Sequence, residues 1–231
     1  MTSDLLGVIV PHYNQHDFLK ESVESLENQD VNLVIVVIDD ASPIYPDGED
    51  LFSNPEHRFF GNAVNHGVQH CRNSGYSYLR EECVPIPSYF LFSDADVIWN
   101  PGILKRMLTV LDHSDDDVGY VYCNYEAQGY LRNIHHAIPF DADQLRKKNF
   151  ASTMSVIKAE AVPDPPFIAD EERLQDWSLW LRLLNSGYRG TYIPTVGFTA
   201  HYNEASISTR GYDDFLYWKQ IIRKRYVFNE R

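Results

Sequence analysis

The sequence predicts an α/β fold in a single domain, with a mostly parallel sheet flanked by helices. Two apolar runs, residues 5–10 and 33–38, are rich in Val and Ile and do not alternate with polar residues, as expected of strands buried on both faces. A stretch of helical periodicity follows the first run, and alternating strands and helices are typical of parallel sheets. A chain of 231 residues with 44% hydrophobic residues can bury the core that such a sheet needs.

The front half of the chain alternates between the two kinds of element. Strand 5–10 ends at Pro11, and apolar residues between 18 and 26 recur at helical spacing, which predicts a first helix. Strand 33–38 ends at two acids, and three prolines make 41–57 a loop. The remaining elements predicted here are a strand at 58–60, a helix at 66–82, a strand at 89–93, a helix that begins near Asn100 and carries Leu104, Leu108 and Leu111, and a strand at 118–123.

The back half of the chain has a different residue pattern. Beyond Asn124 polar and aromatic residues mix, and the pattern predicts a strand at 153–157 and a helix at about 174–185 that Gly187 ends. The last predicted element is a basic amphipathic helix within 211–231, because Phe215, Trp218 and Ile222 recur at helical spacing beside cationic residues.

Charge and cysteine content exclude several classes of protein. With 20 basic and 33 acidic residues the net charge is −13, so we expect no broad nucleic-acid footprint. Three cysteines without metal-ligand spacing favour a reducing compartment, and the first residues carry no basic leader pattern. We therefore expect a soluble, cytoplasmic protein. Residues 219–231 hold five basic residues and one acidic residue, and contact of this tail with an anionic membrane surface is the alternative to simple packing.

Polar clusters follow three of the predicted strands. They begin at Pro11, Asp39 and Asp94, and ligands of open parallel sheets bind at such strand ends. Neither a dinucleotide fingerprint nor a P-loop occurs, so no glycine cradle holds the ligand. Of three Asp-x-Asp pairs, only Asp94/Asp96 ends an apolar strand. Two adjacent carboxylates repel each other unless a cation offsets them, so this pair predicts a site for a hard divalent ion completed by phosphate oxygens.

These clusters together resemble family 2 glycosyltransferases. The order of motifs is that of the family: Val10-Pro11-His12-Tyr13-Asn14, Val36-Val37-Ile38-Asp39-Asp40, Asn65-His66-Gly67 with Arg72, Phe92-Ser93-Asp94-Ala95-Asp96, then Asp176-Trp177 through Gly187-Tyr188 and Pro194. The resemblance covers about residues 7–210. It implies a GT-A (Rossmann-like) fold, an inverting transfer from a nucleotide-sugar donor, and a division into a donor-binding half at about 1–123, an acceptor-binding half at about 124–210 and the C-terminal basic helix.

The resemblance also assigns roles to individual residues. Tyr13 and Asp40 or Asp39 face the nucleobase, which favours a UDP-sugar, and Arg72 lies near the diphosphate or the first acid of the pair. Asp96 binds Mn²⁺ or Mg²⁺, and His201 meets the metal or the diphosphate. The full donor-binding set implied is Pro11, Tyr13, Asn14, Asp39, Asp40, Asn65, Gly67, Arg72, Asp94 and Ala95.

Asp176 corresponds to the catalytic base of the family, although Gln175 stands where an acid normally precedes it. A carboxylate between apolar neighbours is desolvated and therefore basic enough to take the proton of an acceptor hydroxyl. Glu171 and Glu172 are the fallback candidates. Tyr125, Tyr130 and Trp177 are predicted on the acceptor side, and 203–212 as a mobile lid, while the residue types do not distinguish a glycan, a lipid-linked saccharide, a protein or a nucleic-acid base as acceptor.

Three other functions remain open at this level. A sugar-phosphate nucleotidyltransferase also uses paired acids on an α/β sheet, but it typically carries an early glycine-rich phosphate loop, which residues 10–20 do not offer. A glycosidase needs two carboxylates but has no use for a nucleotide site. A non-catalytic nucleotide-sugar-binding module would bind the donor without turnover.

Overall fold

The computed structural model describes residues 5–44, 50–130, 132–202 and 211–227. The predicted lid at 203–212 falls largely outside them. The strands are β1 (Leu6–His12), β2 (Leu33–Asp39), β3 (Arg58–Gly61), β4 (Tyr89–Phe92), β5 (Val97–Trp99), β6 (Val118–Gly129), β7 (Asn133–His135), β8 (Val156–Lys158) and β9 (Arg189–Tyr202). The helices are α1 (His16–Glu27), α2 (Val68–Glu81), α3 (Ile103–Asp112), α4 (Ala142–Leu145), α5 (Gln175–Asn185) and α6 (Tyr212–Tyr226), with one 3₁₀ turn at Ala159–Ala161.

One curled sheet of nine strands forms the centre of the molecule. Its order is β3-β2-β1-β4-β8-β6-β9-β5, and β7 pairs with β6. The first four strands are parallel, whereas β8 runs antiparallel to both β4 and β6. The predicted α/β class is confirmed, and parallel pairing is concentrated in the front half of the chain. The strand predicted at 118–123 continues to Gly129. Along its length it pairs with the long β9, and the pairing is interrupted by register shifts.

The two apolar runs form β1 and β2, in which every residue is buried. Alternate side chains of these strands enter two separate cores, one against α1 and α3 and the other against α2, α5 and α6. Helix α2 lies very close to β1, because a Cβ atom placed on Gly75 would be 2.6 Å from Cγ2 of Ile9. Layers on both faces hold the carboxyl ends of β1, β2 and β4 at one edge of the sheet.

The C-terminal helix packs on the domain, as its apolar spacing predicts. Trp218 and Ile222 of α6 are buried, and Arg225 pairs with Asp170 and with Glu171. Part of the basic end is therefore engaged by acids of the same chain. Among the described residues, no helix is both long and apolar enough to cross a membrane.

Candidate functional site

A cleft of about 1280 Å³ opens where β1, β2 and β4 end. This is the edge at which parallel sheets bind ligands. Twelve of the residues predicted from the sequence line it: Pro11, Tyr13, Asn14, Asp40, Asn65, Gly67, Arg72, Asp94, Asp96, Tyr125, Asp176 and His201. Four predicted residues do not line it, namely Asp39, Ala95, Tyr130 and Trp177.

Three non-glycine residues around the cleft have left-handed backbone conformations. They are Asn14 after β1, Ala41 after β2 and Leu174 before α5, with φ of 56°, 64° and 60°. Residues other than glycine rarely adopt such angles, and strained positions of this kind cluster at functional sites. The strain lies at the ends of the three elements that carry the predicted nucleobase and base residues.

The neighbours Asp39 and Asp40 have different surroundings. Asp39 is fully buried and accepts hydrogen bonds from the Ser42 hydroxyl and backbone N–H, and it lies 2.7 Å from Nδ1 of His12. These contacts fix the turn after β2 and leave Asp39 facing away from the cleft. The structure therefore contradicts a direct contact between Asp39 and a nucleobase, and Asp39 instead supports the turn that carries Asp40.

Asp40 lines the cleft and organises the start of α2. Its carboxylate accepts hydrogen bonds from Nδ2 of Asn62 and from the backbone N–H groups of His66 and Gly67, at 2.7–2.9 Å. Burial raises the pKa of this group, but these hydrogen bonds and a further one from the Cys71 thiol outweigh burial and hold the pKa below its ordinary value. Asp40 is therefore held as a carboxylate on the wall of the cleft.

Arg72 links the acid pair to the helix that carries the predicted base. One nitrogen lies 2.6 Å from Oδ1 of Asp94, and another donates to Oε1 of Gln175 at 3.0 Å. The guanidinium lies over the ring of Phe167, 4.9 Å from its centroid. The arginine predicted near the first acid of the pair is thus a bridge between α2, the end of β4 and the start of α5.

Asp96 stands beside Asp94 in a partly buried position. Its Oδ2 accepts a hydrogen bond of 2.8 Å from the side chain of Gln15. Burial, followed by the charge of Asp94, raises the pKa of Asp96 to about 7. The site therefore holds a carboxyl group whose ionisation a nearby cation would favour.

His201 is brought to the same end of the cleft from β9. Its backbone N–H donates to the carbonyl of Asp96 at 3.0 Å, and its ring stacks on Phe18 with centroids 4.7 Å apart. Over the described ranges, no three His, Cys, Asp or Glu side chains are grouped closely enough to hold a metal by themselves. A metal here would need further oxygen ligands, such as those of a diphosphate.

Asp176 lines the same cleft from the first turn of α5. Its two oxygens accept hydrogen bonds from Nδ2 of Asn149 at 2.7 Å and from the backbone N–H of Trp177 at 2.8 Å. Burial raises its pKa to about 6, against the opposing effects of the Trp177 N–H, Arg72 and Asn149. This is the behaviour expected of a general base poised close to neutral pH.

The two fallback candidates, Glu171 and Glu172, lie in different surroundings. Glu171 is buried, lies 2.9 Å from Arg225 and accepts a hydrogen bond of 2.7 Å from the Tyr226 hydroxyl, so it ties α6 to the domain. Glu172 is exposed and lines the cleft. Asp176 combines a position on the cleft wall with a carboxyl pKa raised by burial.

The predicted acceptor-side aromatics do not form a stacking surface. Both faces of the Tyr125 ring are covered, by His135 at 4.4 Å and by Phe198 at 5.1 Å between centroids, and its hydroxyl lies 3.1 Å from that of Tyr202. Trp177 is buried and donates to the carbonyl of Leu145, so its role is packing. Tyr130 is 60% exposed and lies outside the cleft. Of the three residues predicted on the acceptor side, Tyr125 lines the cleft without an open ring face, and Tyr130 and Trp177 do not line it.

Several functional candidates lack a strong signal in the sequence. Gln15 directly follows the first strand-end cluster, so its position was the available hint. Asn149 holds Asp176 across 27 residues, and Tyr202 meets Tyr125 across 77 residues. No local pattern encodes contacts of that range.

The fold and the acidic cleft define a GT-A-type α/β protein with a ligand site at the strand ends. The same fold is found in TarS of S. aureus, solved in complex with UDP, with a TM-score of 0.72 and 17% identity over 97% of this chain and 65% of that one. It is also found in the mannosyltransferase PcManGT from Pyrobaculum calidifontis, solved with GDP-Man and Mn²⁺, with a TM-score of 0.61 and 22% identity over 96% of this chain and 61% of that one.

The chain belongs to glycosyl transferase family 2, whose sequence model matches residues 7–162. Among curated proteins, EpsH of Bacillus subtilis (strain 168) is 28% identical over 131 residues, which cover 55% of this chain and 36% of EpsH. The minor teichoic acid biosynthesis protein GgaB of the same organism is 26% identical over 124 residues, covering 50% of this chain and 13% of GgaB. The chain thus matches about a third or less of the length of these two relatives.

Proposed function

We propose that the protein is an inverting glycosyltransferase that moves a sugar from a nucleotide-sugar donor, with UDP-sugars favoured, to an acceptor hydroxyl. The observation that carries the proposal is the pairing of two sites in one cleft. The acid pair Asp94/Asp96 follows β4, and Asp176, a carboxyl group with a pKa raised to about 6, lines the same cleft from the first turn of α5. One site suits a metal-bound diphosphate and the other suits a base.

The donor is proposed to lie over the ends of β1 and β2. Tyr13 is 46% exposed and offers a ring face for stacking, and the Asp40 carboxylate, which lines the same cleft, is the proposed partner of an imide N–H such as that of uracil. Two relatives of the same fold support a nucleotide-sugar, since TarS was solved with UDP-GlcNAc and PcManGT with GDP-Man. In this proposal residues 1–123 bind the donor and 124–210 bind the acceptor.

Asp94 and Asp96 are proposed to hold Mn²⁺ or Mg²⁺, with His201 close by. The donor set fits a hard divalent ion, because two adjacent carboxylates supply oxygen ligands, and a cation would offset the burial and the Asp94 charge that raise the pKa of Asp96. PcManGT, of the same fold, was solved with Mn²⁺. When bound, such an ion supplies positive charge to the leaving diphosphate. Gln15 and Arg72 hold the two carboxylates in place.

The proposed reaction is a single displacement at the anomeric carbon. The Asp176 carboxylate accepts the proton of the acceptor hydroxyl as the hydroxyl oxygen forms a bond to that carbon, and the bond from the carbon to the diphosphate oxygen breaks with its electron pair going to the leaving group. Attack from the face opposite the leaving group inverts the configuration. Asn149 and the Trp177 N–H orient the carboxylate and leave its remaining lone pairs for the proton.

Donor binding and turnover test this function separately. The thermal midpoint of the protein should rise with one nucleotide-sugar among UDP-, GDP- and TDP-sugars, and should rise further with Mn²⁺. Asp96→Ala should abolish the metal-dependent part of the shift. Release of nucleoside diphosphate from that donor would identify a transferase, release of pyrophosphate from a nucleoside triphosphate and a sugar phosphate would identify a nucleotidyltransferase, and binding without release would overturn the catalytic proposal.

The cellular location is part of the same proposal. Three cysteines without metal-ligand spacing favour a reducing, cytoplasmic compartment, and the basic end of α6 is proposed as a contact for an anionic membrane. Because Arg225 is paired with Asp170 and Glu171, that contact would depend on the other cations of the helix. Binding of the chain to vesicles with and without anionic lipid, before and after deletion of 219–231, tests it.

A further inference from the structure

The acceptor side of the cleft carries a cation that the reaction described above does not use. Three cationic side chains among the described residues line the cleft: Arg72, Arg173 and Lys148. Arg72 pairs with Asp94, and Arg173 lies 3.0 Å from Asp214. Within the part of the chain that the structure describes, no carboxylate pairs with Lys148, which is exposed. Lys148 is thus the lining cation still available to a ligand.

The acids that precede Lys148 in the chain are already engaged. Asp141 caps α4 by accepting the N–H of Gln144 at 2.9 Å, and Asp143 lies 3.6 Å from Arg146. The segment therefore presents positive charge in a chain whose net charge is −13. Five carboxylates line the same cleft, so a cation left unpaired on its rim makes that part of the wall electrostatically distinct.

The position of Lys148 relates it to the acceptor rather than to the donor. The next residue, Asn149, donates directly to the Asp176 carboxylate, so the backbone of Lys148 lies one residue from the group that holds the proposed base. With one residue step and the length of a lysine side chain, the ammonium reaches positions on the order of 10 Å from that carboxylate. That is the scale of one sugar or polyol unit with its substituent.

His136 also lines the cleft and is exposed, so its ring can supply a second hydrogen-bond donor to a ligand. The aromatic faces nearby are covered, since Tyr125 is enclosed between His135 and Phe198. Recognition on this wall therefore rests on charge and hydrogen bonding more than on stacking. Glu172 is the exposed acid of the cleft, and it would oppose an anion placed on its own side.

We propose that Lys148, with His136, forms a subsite for an anionic group of the acceptor, a phosphate ester or a carboxylate carried close to the accepting hydroxyl. This inference rests on the proposed glycosyl transfer and names the acceptor class for it. An ammonium and an oxyanion form a charge-assisted hydrogen bond, and this bond would orient the acceptor hydroxyl toward Asp176.

The test uses paired soluble probes that differ in charge. Binding of glycerol 3-phosphate and of glycerol, and of galacturonate and of galactose, is measured by ligand-observed NMR on the full chain without added metal, so that no metal ion at the donor site attracts the anions. We expect the anionic member of at least one pair to bind more tightly, and its affinity to fall on raising NaCl from about 50 to 300 mM. The arm that responds tells phosphate from carboxylate.

Lys148→Gln should weaken binding of that anion at least about fivefold, as loss of one charge-assisted contact predicts. Lys147→Gln is the matched control, because Lys147 is exposed on the same segment, carries the same charge and does not line the cleft. Equal loss in both variants, equal binding of charged and neutral probes, or no binding of any probe would overturn the subsite. Donor-dependent thermal shifts, measured in the same variants, report the proposed function independently, so the two can fail separately.

Discussion

Arg72 donates a hydrogen bond to Gln175 at 3.0 Å, from the same guanidinium that lies 2.6 Å from Asp94. This contact joins the acid pair at the end of β4 to the residue immediately before Asp176. Because Gln175 is neutral, the positive charge of Arg72 is balanced on one side only, and its field lowers the pKa of both Asp96 and Asp176 against the effect of burial. The pKa of Asp176 therefore depends partly on Gln175, because this neutral side chain binds Arg72 without neutralising its charge.

Replacing that neighbour by an acid should change the pH dependence of the reaction. Gln175→Glu puts a carboxylate on Arg72 and next to Asp176, which neutralises the arginine and adds a like charge beside the base. We expect the acidic limb of the kcat/KM profile, which reports ionisation of Asp176, to move upward by about half to one pH unit. The profile should be recorded from about pH 4.5 to 8.5 with the donor that the protein binds.

Gln175→Leu is the matched comparison for this variant, because it also loses the hydrogen bond to Arg72 but adds no charge. Its acidic limb should stay close to that of the unmodified protein even if the rate falls. Equal displacement of the limb in both variants would assign the effect to lost packing and would contradict the electrostatic account.

The assignment of Asp176 as base predicts a loss in rate without a loss in donor binding. Asp176→Asn keeps the size of the side chain but cannot accept the proton, so transfer should slow by about 10²–10⁴-fold while donor affinity stays within about threefold. Glu172→Gln removes a charge from the same cleft and should alter the rate by less than about threefold. Comparable losses in the two variants would indicate that overall charge, and not one positioned base, governs the reaction.

The parts of the molecule that the sequence predicts well are those with local signals. The buried runs of β1 and β2 and the acids that follow β4 can be read directly, because a strand buried on both faces has a continuous apolar pattern and its end has polar residues. The family match over residues 7–162 confirms the resemblance to family 2 glycosyltransferases. The adjacent acids Asp39 and Asp40 could not be told apart, because burial of one and exposure of the other to the cleft depends on how the turn around Ala41 is folded.

The structure of the back half of the chain was harder to predict from the sequence, for a physical reason. Strand β9 has mixed burial along its length and pairs with β6 through register shifts, so its sequence has neither a continuous nor a regular alternating pattern. Tyr125 was predicted on the acceptor side and does line the cleft, but His135 and Phe198 from other strands cover both faces of its ring. Which faces of a ring remain open is a property of tertiary packing that residue type does not carry.

The close approach of α2 to β1 predicts a specific packing defect. Gly75→Ala would place a methyl group 2.6 Å from Cγ2 of Ile9 in the buried strand that leads to the cleft, so we expect the free energy of unfolding to fall by about 1–3 kcal/mol. Ile9→Ala in the same chain removes the obstructing atoms. The double variant should therefore lose less stability than the sum of the two single variants, as measured by urea unfolding. Strict additivity would show that the two residues are not in contact.

The raised pKa of Asp176 also predicts how stability changes with pH. Its pKa is about 6 in the folded protein against an ordinary value of 3.8, so the folded state binds this proton more tightly than the unfolded state does. Below about pH 4 the carboxyl is protonated in both states and its burial costs little, whereas the cost develops as pH rises from about 4 to 6 and is complete above that range.

Asp176→Asn removes this ionisation. The stability of the variant minus that of the unmodified protein should therefore increase between pH 4.5 and 7.5, by about 1–2 kcal/mol once solvent access through the cleft is allowed for. Because any steric cost of asparagine is the same at both pH values, it cancels in this difference. Urea unfolding at the two pH values measures it, and a constant or shrinking difference would show that Asp176 is not held as a destabilised carboxylate.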